Sequence, residues 1–132
     1  MPSDSHAALN RISQFEDRLS KNVFKPGATI FRAGEMDDTA YIVKSGEVQI
    51  VTENAKGQLV LLTTVGPGQI FGELALMNER TRTAAARTES GCELLIIKPA
   101  QIEALLENAS PFIRFWIEHL VGRVIDLTRR IG

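Results

Sequence analysis

Cysteine is almost absent from this sequence, because Cys92 is the only one among 132 residues. A lone cysteine cannot form an internal disulfide or a four-cysteine metal site, and it is compatible with a reducing compartment. The chain also lacks any apolar run approaching the roughly 18 to 20 residues that a membrane helix needs. Its first ten residues lack the charged and apolar regions of a signal peptide. We therefore expect a soluble cytoplasmic domain with no membrane partner.

An excess of charge of one sign and a histidine cluster are missing as well. The 15 basic and 16 acidic residues give a formal net charge of −1, which provides no broad positive field for non-specific nucleic-acid binding. We expect no direct nucleic-acid contact. His6 and His119 lie far apart in the sequence, and no His-x-His or His-x-x-x-His pattern supports a metal site. We expect no bound metal.

Apolar residues fall into three zones of one domain, 1–132. In residues 1–20 they recur at spacings of three and four, which predicts an amphipathic helix carrying Ala8, Leu9, Ile12, Phe15 and Leu19. Residues 21–98 change to short β-branched and aromatic segments separated by glycine-containing turns, which is typical of a jelly roll. In residues 99–132 the helical period returns, and Pro99 and Pro111 suit the first turns of two helices.

The predicted fold class is therefore α+β, mainly β. It is an antiparallel β jelly roll, or double-stranded β-helix, with an N-terminal helix, a short internal helix and two C-terminal helices. The hydrophobic content of 44% is enough for a chain of this length to bury a single core.

The last predicted helix carries one apolar stripe. Its members are Ile113, Trp116, Ile117, Leu120, Val121, Val124, Leu127 and Ile131. We interpret Trp116 as part of the core. Gly122 lies inside this helix, where glycine costs roughly 0.5 to 1 kcal/mol relative to alanine; with Phe115 on another face, it could mark a close helix–helix contact. The sequence therefore allows a homodimer through the C-terminal helix.

The stretch FGELALMNERTRTAAAR, residues 71–87, places a glycine, a carboxylate and an arginine around a short helix-forming segment. The N-terminus of that helix would offer free N–H groups to an anion, and Gly72 would let a ligand approach the backbone. Arg82 can grip a phosphate through two parallel hydrogen bonds. A phosphate would repel Glu73, so we expect this carboxylate to accept a hydrogen bond from a neutral hydroxyl such as a ribose 2′-OH. A phosphate and a ribose hydroxyl together indicate a nucleotide.

Two stretches resemble the cyclic nucleotide-binding domain family. FKPGATIFRAGEMDDTAYIVKSGEVQIV, residues 24–51, is similar to the family's opening strands. GPGQIFGELALMNERTRTAAAR, residues 66–87, is similar to its phosphate-binding cassette, and we call it the cassette below. The resemblance covers about residues 15–131. It implies cAMP or cGMP as the ligand and no further cofactor.

The resemblance implies a role for each cassette residue that contacts the ligand. Gly72 and the backbone N–H groups of Leu74 and Ala75 would cradle the cyclic phosphate, and Arg82 would pair with it. Glu73 would accept the ribose 2′-OH. These residues form the predicted phosphate and ribose site.

The resemblance also implies which residues meet the base. Thr83 would bond the phosphate or the base, and its hydroxyl leaves cGMP possible beside cAMP. Phe71 begins the Phe-Gly-Glu motif, and Ala84 would begin the strand beneath. The last helix would fold over the base as a lid, with the base near Val124, Leu127 and Thr128.

Several of these residues have a purely structural alternative. Glu73 and Arg82 could form a surface ion pair, worth about 0 to 1 kcal/mol. Asp37 and the aspartate after it lack the ligand spacing of an EF-hand, so we expect a turn there. We expect Cys92 to be a small buried hydrophobe and Lys98 to be a solvated charge.

The leading functional hypothesis is a non-enzymatic sensor that relays ligand occupancy to an unknown effector protein or domain through its C-terminal helix. The alternative is an interaction or oligomerisation module of the same fold that has lost nucleotide binding. An enzyme ranks third, because the cupins that share the jelly roll need a histidine cluster that this sequence lacks.

Overall fold

The computed structural model describes residues 5–77 and 81–131. Its helical segments are α1 (Ser5–Ile12), a first 3₁₀ helix (Glu16–Arg18), the cassette 3₁₀ helix (Glu73–Met77), α2 (Pro99–Glu107) and α3 (Pro111–Ile131). Its strands are β1 (Ser20–Phe24), β2 (Thr29–Phe31), β3 (Ala40–Gly46), β4 (Val48–Glu53), β5 (Leu59–Val65), β6 (Ile70–Phe71), β7 (Ala85–Arg87) and β8 (Cys92–Ile97). The order of helix, strands and helices is the predicted one.

The described strands form two four-stranded sheets, ordered β1-β8-β3-β6 and β2-β7-β4-β5. Their pairings are antiparallel. The chain passes repeatedly from one sheet to the other, so the strands that close each sheet come from distant parts of the sequence. This double-sheet arrangement is a jelly roll. The predicted fold class is confirmed.

Strand β3 contributes to two apolar layers, because successive side chains of a strand point to opposite faces. Its first four residues are all buried. Tyr41 belongs to the cluster between the sheets, whereas Ala40 and Ile42 belong to a second cluster that includes Ile12 of α1. Ile102 of α2 packs against the same cluster. The helices therefore cover the outer face of the sheet that contains β3.

The N-terminal helix is shorter than predicted. It ends at Ile12, and the hydroxyl of Ser13 donates to the carbonyl of Asn10 at 2.6 Å, a side-chain bond that competes with helix continuation. The chain then turns through the first 3₁₀ helix to enter β1. Phe15, which the helical pattern placed on the apolar face, is 40% exposed as a result.

Helices α2 and α3 begin at Pro99 and Pro111, as predicted. The hydroxyl of Ser110 accepts the N–H of Ile113 at 3.2 Å and so caps α3. The prediction that Trp116 is core is wrong, because 51% of this residue is exposed. Its ring stacks on that of Phe112, also exposed, with centroids 6.2 Å apart. Within the described ranges, no helix is both long enough and apolar enough to cross a bilayer.

Candidate functional site

The cassette folds into a strand, a turn and a short helix. Strand β6 leads to Gly72, whose φ is 71°, and the 3₁₀ helix Glu73–Met77 follows. The predicted short internal helix is confirmed. Strand β7 begins at Ala85, where it pairs with Val51 of β4. It starts one residue later than the predicted Ala84, which is half-buried and precedes the strand.

Arg82 lies inside the protein. Only 6% of the residue is exposed, and its Cζ lies 4.1 Å from the centroid of the Phe31 ring, a cation–π contact. Nη1 donates to the carbonyl of Gly72 at 3.1 Å, and Nη2 donates to the carbonyl of Thr39. The buried Nε–H has no hydrogen-bond partner among the described residues. This burial contradicts the alternative of a surface pair with Glu73.

The carboxylate that pairs with Arg82 is that of Asp37. Its Oδ2 lies 3.0 Å from Nη2 of the arginine, and its Oδ1 accepts the N–H of Thr39 at 3.0 Å. Burial by itself would raise the pKa of Asp37, but the hydrogen bonds from Arg82 and Thr39 outweigh it and hold the pKa below the usual 3.8. The predicted turn is confirmed by the bond to Thr39. The ion pair with Arg82 was not predicted.

A side chain at position 72 would collide with the arginine. A Cβ placed on Gly72 would lie 2.7 Å from Nη1 of Arg82. The positive φ of this glycine is a second reason for its identity, because side chains are strained there. Sequence reasoning assigned Gly72 to the approach of a ligand, whereas the group that approaches it here is the chain's own guanidinium.

Three aromatic rings lie together beside the guanidinium. The centroids of Phe31, Tyr41 and Phe71 are 5.2 to 6.1 Å apart. Burial, and then the charge of Asp37, raises the pKa of the Tyr41 phenol above its usual 10.0. Phe71 is 4% exposed, so its ring is part of the core and its direct ligand contact stays a prediction. The packed rings lower the effective dielectric constant around the guanidinium, so an arginine there interacts more strongly with an anion than it would in water.

The other predicted cassette residues differ in their exposure. Glu73 and Thr83 are exposed, so a ligand can reach their side chains. Ala75 is 2% exposed, and its N–H already donates to the carbonyl of Gly72 at 3.3 Å. An anion can use that N–H only after this bond opens. The side chain of Leu74 lies outside the part that the structure describes.

The predicted lid residues lie on α3. Val124 is 46% exposed and Leu127 is 57% exposed. Thr128 belongs to the helix, with a side chain outside the described part. Helix α3 contacts the cassette 3₁₀ helix, which a lid over the cassette requires. Contact of these three residues with a base stays a prediction.

Lys98 connects the surroundings of Arg82 to the C-terminal helices. Its Nζ donates to the hydroxyl of Thr39 at 3.1 Å, and the carbonyl of Thr39 accepts from Arg82. Lys98 directly precedes α2, and its N–H donates to the side chain of Gln101 at 2.7 Å. Lys98 is exposed, as expected of a solvated charge, and the bond to Thr39 is an additional contact that was not predicted.

Cys92 belongs to the apolar cluster between the sheets. Cys92 is 6% exposed, and burial raises the pKa of its thiol; the predicted small buried hydrophobe is confirmed. In the described ranges, no three metal-ligating side chains lie together.

The site therefore contains the predicted Gly72 and Arg82 in contact, together with three residues that sequence reasoning missed: Phe31, Asp37 and Thr39. The signal for Asp37 was an acidic pair placed directly before a buried strand. That signal predicts a turn, but it does not identify the arginine that reaches the turn from another part of the fold.

The chain is similar in sequence to named proteins. The family model described as Cyclic nucleotide-binding domain matches residues 21–109. The Cyclic AMP receptor protein of Thermus thermophilus is 35% identical over 112 residues, which are 85% of this chain and 50% of that protein. The cAMP-dependent protein kinase regulatory subunit of Schizosaccharomyces pombe is 33% identical over 98 residues, which are 74% of this chain and 23% of that protein. This chain thus spans half or less of the length of these relatives.

Solved structures resemble the fold as well. An EAL enzyme in its cAMP-bound form matches with a TM-score of 0.70 at 27% identity, covering 85% of this chain and 30% of that one. The cGMP-bound form of the same enzyme matches with a TM-score of 0.71 at 28% identity, covering 84% of this chain and 30% of that one.

Proposed function

The chain belongs to the cyclic nucleotide-binding domain family, and from this premise we propose that it is a non-catalytic sensor of cAMP or cGMP. The observation that carries the proposal is the buried guanidinium of Arg82, whose Nε–H has no acceptor among the described residues. A phosphate oxygen suits such a donor, because arginine binds phosphate through parallel charge-assisted hydrogen bonds. The ligand is the only small molecule that the proposal requires.

Four cassette residues have a part in this proposal. Arg82 binds the cyclic phosphate, and the exposed carboxylate of Glu73 accepts the ribose 2′-OH. Thr83 is exposed beside Arg82 in the sequence, where its hydroxyl serves the phosphate or the base. Gly72 supports the site by leaving room for the guanidinium. Neither cAMP nor cGMP is excluded by these contacts.

The relay of occupancy rests on two contacts with the C-terminal helices. Helix α3 contacts the cassette 3₁₀ helix, and Lys98 at the start of α2 bonds Thr39, which also bonds Arg82. A ligand that binds two arrangements of these helices with different affinity shifts their populations by that difference. In the filled state we propose that α3 closes over the base with Val124, Leu127 and Thr128.

The effector that responds to this motion is unidentified. The matched relatives include a kinase regulatory subunit and a protein named as a global transcriptional regulator. Because the chain spans only part of each relative, their partners do not transfer to it. We propose residues 1–132 as one domain that makes no direct nucleic-acid contact itself.

Calorimetric titration with cAMP and with cGMP tests the binding function. Glu73→Ala is the cleanest variant, because this side chain is exposed and its loss leaves the core intact. Arg82→Lys keeps the charge but removes the planar fork. We expect wild type to bind at least one nucleotide below millimolar concentration and each variant to lose on the order of 1 to 3 kcal/mol.

The matched control for Glu73→Ala is Glu53→Ala, which removes an exposed carboxylate at the end of β4. Its affinity should equal that of wild type. Absence of binding by wild type, or affinities of the two site variants equal to wild type, would contradict the proposed function.

A second candidate function, homodimerisation through α3, is favoured by a heptad pattern. Apolar residues recur along α3 at alternating spacings of four and three. One heptad core position carries Ile113, Leu120 and Leu127, and the other carries Ile117, Val124 and Ile131. β-branched residues at one core position of the heptad and leucine at the other favour parallel two-stranded coiled coils. This helix face, the seam, is exposed at five described positions: Ile113 39%, Ile117 37%, Leu120 46%, Val124 46% and Leu127 57%. A second copy of the chain is the occupant that such a pattern fits.

A further inference from the structure

Asp37 and Arg82 form an ion pair at the centre of the site, although they come from different loops. The side chain of Arg82 is 5% exposed and that of Asp37 is 23% exposed. The arginine thus already has an anionic partner at the place where the proposed function brings a second anion, the cyclic phosphate.

The geometry of the guanidinium makes Asp37 and the phosphate compete for the same nitrogen, Nη2 of Arg82. A guanidinium offers two edges for a bidentate bond; one joins Nε to Nη2, and the other joins Nη1 to Nη2. Both edges need a hydrogen of Nη2. In Arg82, Nη2 donates to the Thr39 carbonyl and also lies 3.0 Å from Oδ2 of Asp37, with which it forms an ion pair. A phosphate that grips the guanidinium through two bonds therefore competes for Nη2 with the acceptors already there.

Asp37 is the acceptor that can leave more easily. The Thr39 carbonyl belongs to the backbone directly before β3, whose first residues are fully packed. The Asp37 carboxylate belongs to a turn and is partly exposed, so water can solvate it after release. The same turn is held by Oδ1 of Asp37, which does not take part in the ion pair.

We propose that Asp37 is an internal competitor for the ligand phosphate and that this competition sets the affinity for the cyclic nucleotide. The inference rests on the proposed function. In the ligand-free protein Asp37 occupies Nη2 of Arg82, and the phosphate replaces it on binding. Asp37 thus keeps a buried arginine neutralised while the site is empty, at the expense of ligand affinity.

The test is Asp37→Asn, measured by calorimetry with cAMP and cGMP. Asparagine keeps the oxygen that holds the turn and loses the charge that holds Arg82. If the pair leaves about one molecule in ten competent to bind, its removal should tighten the apparent dissociation constant about tenfold. Asp37→Ser, which also accepts a hydrogen bond in a turn, should tighten binding in the same direction.

The matched control is Asp38→Asn, which removes the same charge from the adjacent residue. Asp38 accepts a bond from the Thr39 hydroxyl at 3.4 Å, and the carboxylate that bonds Arg82 is that of Asp37. The affinity of the control should match wild type. Thermal unfolding without nucleotide is the second measurement, in which Asp37→Asn should unfold at a lower temperature than Asp38→Asn because it alone loses the pair.

Tighter binding together with lower ligand-free stability, both specific to position 37, supports the competition. Unchanged or weaker binding by Asp37→Asn overturns it, as does equal tightening by Asp38→Asn. Tightening without loss of ligand-free stability also overturns it, because it would indicate simple repulsion between Asp37 and the phosphate. If wild type binds neither nucleotide, the proposed function fails instead, and the unfolding comparison still shows whether the pair exists.

Discussion

Gly72 and Arg82 are the two residues on which the geometry of the site depends. The glycine leaves space that the guanidinium fills, and the guanidinium bonds the carbonyl of that same glycine at 3.1 Å. The sequence indicated both residues, since a glycine before a short helix and a later arginine are local patterns. It did not indicate Asp37, because the closure of the jelly roll, and not a local pattern, brings its turn to the arginine.

Gly72→Ala should cost more than backbone strain alone. A non-glycine residue at positive φ costs on the order of 1 to 3 kcal/mol, and the new Cβ would also displace Nη1 of Arg82. We expect a larger drop in the free energy of unfolding than strain gives, and weaker cyclic-nucleotide binding. Urea denaturation and calorimetry measure the two effects.

Gly57→Ala is the matched control, because its φ of 77° is nearly that of Gly72 and a Cβ there meets no atom within 4 Å. It should show the strain cost with unchanged nucleotide affinity. Equal effects of the two substitutions on stability and affinity would contradict the contact between Gly72 and Arg82.

Secondary-structure elements were predicted well where the pattern is local. The glycine turns and β-branched segments indicated the strands, and Pro99 and Pro111 marked the starts of α2 and α3. Two errors have physical causes. Helix α1 ends at Ile12, where the Ser13 hydroxyl bonds the carbonyl of Asn10 in competition with helix continuation. The exposure of Trp116 was missed because periodicity alone cannot distinguish an apolar stripe that faces the core from one that does not.

The seam of α3 leads to a prediction about this element. Leu120→Asp places a charge at a heptad core position, where a coiled coil would bury it at high cost. We expect wild type to elute as a dimer and Leu120→Asp as a monomer, measured by size-exclusion chromatography with light scattering.

Phe115→Asp is the control for the seam. Phe115 is 63% exposed, lies off the seam and stacks on His119 at 6.0 Å, and Gly122 shares its heptad position. The control should remain a dimer. A monomeric wild type would argue against the dimer, and dissociation by Phe115→Asp alone would assign the contact to the face of Gly122.

A continuous series of contacts connects the core of the molecule to its C-terminal helices. Two sheets bury an aromatic cluster that includes Phe31, and Arg82 lies against that ring. Asp37 and Thr39 hold the arginine from the loop before β3, and Lys98 extends the same network to α2. The proposed ligand binding at Arg82 would therefore act on a network that ends at the C-terminal helices, and this network is the physical basis of the proposed relay.

The central claim is that Arg82 receives the cyclic phosphate, and its Nε–H is the most direct reporter. The measurement is nitrogen–proton NMR of the arginine Nε–H signals during titration with cAMP and cGMP, with Arg82 assigned through Arg82→Lys. The account predicts a saturable shift of the Arg82 signal as this donor, which has no partner within the described ranges, gains an acceptor. Binding that leaves the Arg82 signal unchanged, or no binding of either nucleotide, would contradict it.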